Sequence, residues 1–172
     1  LNIDMLLKVN NLPALTDFMA KNGLPVINNY VLKAQDEANE LLRTLHLPLM
    51  VRALHPNQNN TRHIVERLDE FEDTINLAKS QSVTQEVIIS RAINGLKEIS
   101  LEILRDVRGN KMQIGASEDM DPIGIHTADS LSVSPILTVQ DQLISQMRDY
   151  AFRIADMLQL QGVMHVQIGR AS

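Results

Sequence analysis

The sequence predicts an α+β fold, with helices packed on a mostly antiparallel sheet. Three observations carry this. Glu98-Ile99-Ser100-Leu101-Glu102-Ile103-Leu104-Arg105 alternates polar and apolar residues, the pattern of a strand with one wet and one dry face. Asp106-Val107-Arg108-Gly109-Asn110-Lys111 is a turn, and Met112, Ile114 and Ala116 continue the return strand, so the two strands pair antiparallel. Between Thr138 and Leu160, Val139, Leu143, Ile144, Met147, Ala151, Ile154, Met157 and Leu158 recur at helical spacing.

The remaining elements follow in order. Leu12, Leu15, Phe18 and Met19 predict a helix over 12–21, stopped by Gly23 with Pro25 beyond it. Val26 and Ile27 start a short strand. A second helix is expected over 33–44, on Ala34, Ala38, Leu41, Leu42 and Leu45. Residues 47–51 read as a buried strand whose Pro48 lacks an amide donor. The stretch from His55 to Thr61 is a polar loop. A helix is expected over 68–79, with Leu68, Phe71, Ile75 and Ala78 on one face and Asp69 and Glu70 near its positive end. Residues 86–90 form a strand, 119–134 a loop, and 163–168 a final strand after Gly162. Thr138 is positioned to cap the long helix through its hydroxyl.

Composition narrows the function. With 172 residues, 44% of them hydrophobic, the chain can bury the core of a domain or a domain and a half. The net charge of -5 and the five Phe and Tyr residues, with no Trp, argue against a nucleic-acid partner, which calls for clustered cations and stacking platforms. There is no cysteine, hence no disulfide, thiolate nucleophile or thiolate metal site. No apolar run is long enough to cross a bilayer, so no membrane partner is expected. The first residues do not look like a secretory signal, and the lack of an initiator Met hints at a chain cut from something longer.

Residues 121–130, Asp121-Pro122-Ile123-Gly124-Ile125-His126-Thr127-Ala128-Asp129-Ser130, resemble a segment of the carbamoyl phosphate synthetase large subunit that lies beside nucleotide phosphates. Ile123 stands where the family has Met, and Ala128 where it has a second Gly. The match continues through Leu131-Ser132-Val133-Ser134-Pro135 and reaches Val166-Gln167, with His165 in place of Asn. Gly95-Leu96-Lys97-Glu98 and Leu101-Glu102-Ile103-Leu104-Arg105-Asp106 resemble further family blocks, and 47–52 resembles a strand ending in a phosphate-contacting Arg. The resemblance is to the ATP-grasp domain of the N-terminal, carboxyphosphate-forming half. It implies a partial ATP-grasp domain over 1–172. About 26–90 would match the small ATP-binding subdomain, and about 91–172 the start of the larger one.

The resemblance also implies roles. His126 would lie near bicarbonate or the transferred phosphoryl group, where an imidazole donates to developing negative charge; the plainer view is a histidine holding a turn. Arg52 would grip ATP phosphates with its planar fork, a catalytic as well as a cofactor-binding role, or be a surface Arg at a strand end. Glu98 would accept from the two ribose hydroxyls, or be an exposed carboxylate; Glu102 shares its face. Ile93, Ile123 and Gly124 would border the nucleotide, with Ile89 completing a purine slot. Gln167 would offer an amide oxygen to magnesium, in a site that the family completes with a Glu and an Asn-Pro-Arg segment further along than Ser172. ATP and magnesium are thus the implied cofactors, and a cytoplasmic ligase of pyrimidine and arginine biosynthesis the implied setting. The remaining large-subunit domains, a glutaminase subunit or a second copy are the implied partners.

Several departures weigh against activity in this chain alone. The family carries a glycine-rich flap after the Arg strand, whereas 53–63 contains no glycine and Pro56 removes one amide donor. An early phosphate-contacting Arg would fall at Pro13-Ala14, and the acidic residue near the adenine strand is Arg91. Two accounts therefore stand: a divergent or partial synthetase domain, and a non-catalytic nucleotide-binding or protein-interaction relic of the same fold.

Overall fold

The computed structural model describes residues 3–33, 41–42, 44–57, 61–125 and 130–170. It divides into two compact units, one of residues 11–92 and the other of 1–10 with 93–172.

The 11–92 unit opens with helix α2 (Leu12–Lys21), whose N-terminus is capped by Asn11 Oδ1 accepting from Ala14 N at 3.1 Å. Pro13 sits in the first turn, where no amide is missed. Gly23 follows the helix at φ +71°, the left-handed conformation that favours glycine. A four-stranded antiparallel sheet follows, in the order β1 (Asn29–Leu32), β4 (Val87–Arg91), β2 (Leu49–Ala53), β3 (Arg62–Val65). Helix α3 (Phe71–Ser80), entered through a 3-10 turn at Leu68–Glu70, packs on one face. That face is the core: Leu32, Leu49, Val51, Val65, Val87 and Ile89 meet Phe71, Ile75 and Ala78. The strand β2 alternates between buried and half-buried, as a period-two element with one covered face must.

The second unit holds helix α1 (Ile3–Val9), which buries none of its residues, and a sheet in the order β7 (Ser132–Val133), β6 (Lys111–Asp119), β5 (Lys97–Arg105), β8 (Gly162–Arg170). All its pairings are antiparallel. Helix α4 (Asp141–Met157) covers one face, where Ile99, Leu101 and Ile103 meet Met147, Ala151 and Ala155. These three strand residues have no exposed surface. Truncating any one to alanine costs about 2–5 kcal/mol through lost burial and the cavity left behind. A bulge between Glu102 and Ile103 steps the β6 register. Asp106 closes the hairpin, its Oδ1 accepting from Arg108 N and Asn110 N, both at 2.8 Å.

Several expectations are corrected. The first strand starts at Asn29, not Val26, because its register is set by pairing with Val87 to Ser90. Leu68 is 62% exposed, since it lies in the 3-10 turn ahead of the apolar face of α3. Thr138 does not cap α4: the helix begins at Asp141 after Gln140, which makes no side-chain cap bond. The Thr138 hydroxyl donates instead to Glu118. The short strand β7 lies within the stretch expected to be loop. The helix expected over 33–44 falls largely outside the described residues.

Candidate functional site

The face of the second sheet opposite α4 carries a polar row. Strand pairing sets Glu98 opposite Gly169, Ser100 opposite Gln167, and Glu102 opposite His165. Gln167 Nε2 reaches diagonally and donates to Glu98 Oε1 at 2.6 Å. His165 Nδ1 lies 2.5 Å from Glu102 Oε1. These groups sit on this face because their neighbours Ile99, Leu101 and Ile103 are drawn to the α4 side, and a period of two puts the alternate residues outside.

Beside Glu98 the surface turns apolar. A Cβ at Gly169 would stand 3.5 Å from Ile123 Cδ1 and 3.8 Å from Leu96 Cδ1, so these methyls lie against the bare backbone opposite Glu98. The segment carrying Ile123 is fastened to the turn ahead of β5. Gly95 N donates to Ile123 O at 2.9 Å, Ile123 N to Leu96 O at 2.9 Å, and Leu96 N to Ile93 O at 3.1 Å. Gly124 has φ +94°, and a Cβ there would fall 2.3 Å from Asn94 Nδ2. Ile93 and Ile123 are both half-buried. The sequence alone does not single out Leu96 or Gly169 as part of this surface. Gly169 is two residues beyond Gln167 on a period-two strand, which was the available signal.

Arg52 belongs to the other unit. It lies on β2, on the face turned away from α3, between Ile88 of β4 and Arg62 of β3. It is half-buried, and its Nε is sealed from solvent with no hydrogen-bond partner. Burial, and then the charge of Arg62, push its pKa below the ordinary arginine value. Ile89, expected to line a purine slot, is instead fully buried in the core with Val51 and Ile75, out of reach of any base. His126 lies outside the described residues.

Taken unit by unit, Glu98 with the Ile123 and Leu96 methyls suits a nucleoside, and Arg52 suits an anion. A carboxylate accepts from vicinal hydroxyls, methyl groups offer a base an apolar surface, and an unpaired guanidinium N–H wants an anion. They suit magnesium less well. Gln167 Oε1 has no protein partner among the described residues and is one hard donor. Among the described residues no group of three or more His, Asp or Glu side chains gathers to hold a metal ion, and an octahedral ion needs more than one amide oxygen. The donors among the described residues do not by themselves make up a magnesium site.

Solved structures share this architecture. The chain superposes on an ADP complex of N5-carboxyaminoimidazole ribonucleotide synthetase with TM-score 0.79, at 21% identity, covering 96% of this chain and 42% of that one. It superposes on a biotin carboxylase from Campylobacter jejuni with TM-score 0.80, at 17% identity, covering 93% and 37%. Helices packed on antiparallel sheets in this arrangement define an ATP-grasp domain, the nucleotide-binding class found in ATP-dependent ligases. The chain belongs to the family described as carbamoyl-phosphate synthase L chain, ATP binding domain, matched over residues 14–169. It is 35% identical over 150 residues to the carbamoyl phosphate synthase large chain of Pyrococcus furiosus, which covers 87% of this chain and 14% of that protein. The corresponding protein of Campylobacter jejuni is 32% identical over 136 residues, covering 79% and 12%. The chain therefore spans about one seventh of the length of these curated relatives. Among the described residues no helix is long and apolar enough to cross a membrane.

Proposed function

We propose that this chain binds ATP as part of a ligase of the carbamoyl phosphate synthase type, in which ATP activates bicarbonate as carboxyphosphate. The observation that carries this reading is the Glu98 carboxylate, held by Gln167 at 2.6 Å beside the methyls of Ile123 and Leu96. An acceptor for ribose hydroxyls next to an apolar surface is what an adenosine requires. The family resemblance gives Arg52 a phosphate contact and His126 a role near the transferred group, and Gly124 lets the backbone turn sharply beside Ile123. In the same reading, residues 26–90 serve as the small ATP-binding subdomain and 91–172 as the start of the larger one. Large-chain domains and a glutaminase subunit would be the partners.

Calorimetric titration with a non-hydrolysable ATP analogue tests the binding. Saturable binding that Glu98→Ala and Arg52→Ala each weaken about tenfold or more supports it. No heat at millimolar analogue, in a sample shown to be folded, overturns it. The bicarbonate step needs a further arm. The segment replaces its counterpart in the Pyrococcus furiosus large chain, and bicarbonate-stimulated ADP release is measured. A chimaera that binds ATP yet shows no such stimulation favours the second reading, a binding domain without turnover. The glycine-free stretch 53–63 is the feature that points that way.

A further inference from the structure

We propose that Arg62 acts with Arg52 as a two-arginine clamp for a chain of at least two phosphoryl groups, on the face of the first sheet turned away from α3. The two residues stand directly opposite each other on antiparallel β2 and β3. Opposed side chains on neighbouring strands start about 5 Å apart, and like charges there repel. Arg52 adds a second cost, because its Nε is buried and makes no hydrogen bond. Neither guanidinium is paired with a carboxylate among the described residues. Glu86, which precedes β4, sits 3.5 Å from Lys33 Nζ. A guanidinium does not shed its proton, so repulsion is not relieved by neutralisation.

Two opposed guanidiniums, one with a buried and unbonded Nε, form an arrangement that an anion makes favourable. Two planar forks side by side match adjacent phosphoryl groups better than a single carboxylate, because each fork takes two oxygens. Arg62 is exposed and β3 is the edge strand, so a ligand reaches the pair from solvent. The sequence from Ala53 to Thr61 has no glycine, the residue that best lets backbone amides approach a phosphate. Side-chain cations take over that work in this chain. Naming the ligand as a nucleotide polyphosphate rests on the function proposed above; the anion site itself does not.

The test measures binding of ATP, ADP, adenosine and inorganic pyrophosphate by the full chain and by Arg62→Gln, Arg62→Lys and Arg67→Gln. Arg67 serves as the control, because it lies in the same unit and is bonded to Asp69 at 2.6 Å. The expected result is that Arg62→Gln weakens ATP, ADP and pyrophosphate about tenfold while adenosine is unchanged. Arg62→Lys falls between, and Arg67→Gln changes affinity by less than about twofold. The unliganded Arg62→Gln protein also melts higher than the parent, because the repulsion is gone, while its ligand-induced shift in Tm shrinks. Unchanged ATP and pyrophosphate affinity in folded Arg62→Gln overturns the clamp. So does an equal loss in Arg67→Gln, which marks general screening. Pyrophosphate binding that depends on Arg62, with no gain from adenosine, keeps the clamp and removes the nucleotide reading. A folded parent chain that binds neither removes both.

Discussion

Glu118 and Thr138 join the end of β6 to the approach of α4. Thr138 Oγ1 donates to Glu118 Oε2 at 2.6 Å and Thr138 N to Oε1 at 2.9 Å, while Leu137 N donates to Oε1 at 2.7 Å. Glu118 is 1% exposed. Burial by itself raises its pKa, but the Thr138 hydroxyl, the two amides and the Lys97 charge outweigh it, and the carboxyl titrates below the usual range.

Glu118→Ala leaves two amides and a hydroxyl without their acceptor, and should lower the unfolding free energy by about 3 kcal/mol. Glu118→Gln keeps one acceptor oxygen and should cost less. The pH dependence has a definite sign. A depressed folded pKa means that the carboxylate stabilises above its unfolded value, near 4.5, and that this is lost as pH falls through the lower folded value. Urea titrations at pH 7 and below pH 4 should therefore show the gap between parent and Glu118→Gln narrowing in acid. A gap that stays constant would mean that the charge of Glu118 contributes nothing.

Gly124 carries the turn after Ile123 at φ +94°. In Gly124→Ala the new Cβ meets the end of the Asn94 side chain, which is exposed and can swing away. What remains is the backbone strain, about 1–2 kcal/mol. Asn94→Ala placed in the Gly124→Ala background should therefore restore little of the lost stability in thermal melts. Full recovery would show that the clash, not the dihedral, was the cost.

Gln167 and Glu98 should behave as one unit towards nucleotide. Glu98→Ala removes the proposed ribose acceptor, whereas Gln167→Ala frees the acceptor from the bond that orients it. The second change should weaken ATP-analogue binding about threefold in the parent and have no effect once Glu98 is gone. Additive losses in this double-mutant cycle would assign Gln167 a contact of its own.

The β5–β6 hairpin could be read directly from residues 98–116, because alternation there reports a local backbone period and the buried Ile99, Leu101 and Ile103 obey it. Long-range partnerships were not legible. Nothing near Thr138 in sequence announces that its hydroxyl is taken by a residue twenty positions earlier, so the sequence pattern sets the helix start three residues early. Ile89 and Ile88 look alike in sequence, and only the pairing with β2 decides which one enters the core against α3. The Arg52–Arg62 opposition has the same origin: two charges ten residues apart become neighbours only through the register of β2 and β3.

Arg105 closes the far end of α4 in two ways. Its Nε donates to Asp156 Oδ1 at 3.0 Å, and a terminal nitrogen donates to Leu160 O at 2.8 Å, satisfying a carbonyl just past the helix. Lys111 also bonds Asp156 and, with Arg105, holds that carboxyl below its usual range. Asp156 is nearly half exposed, so solvent screens the pair, and Asp156→Asn should cost only about 0.5–1 kcal/mol. Arg105→Met abandons the Leu160 carbonyl as well and should cost about 2 kcal/mol. The pH test separates the two contributions. The Asp156 part is present above the unfolded aspartate pKa and fades as pH falls through the depressed folded value, whereas the bond to the carbonyl does not titrate. In acid, then, Asp156→Asn should approach the parent in denaturant melts while Arg105→Met stays well below it. Convergence of all three would assign the whole effect of Arg105 to its ion pair.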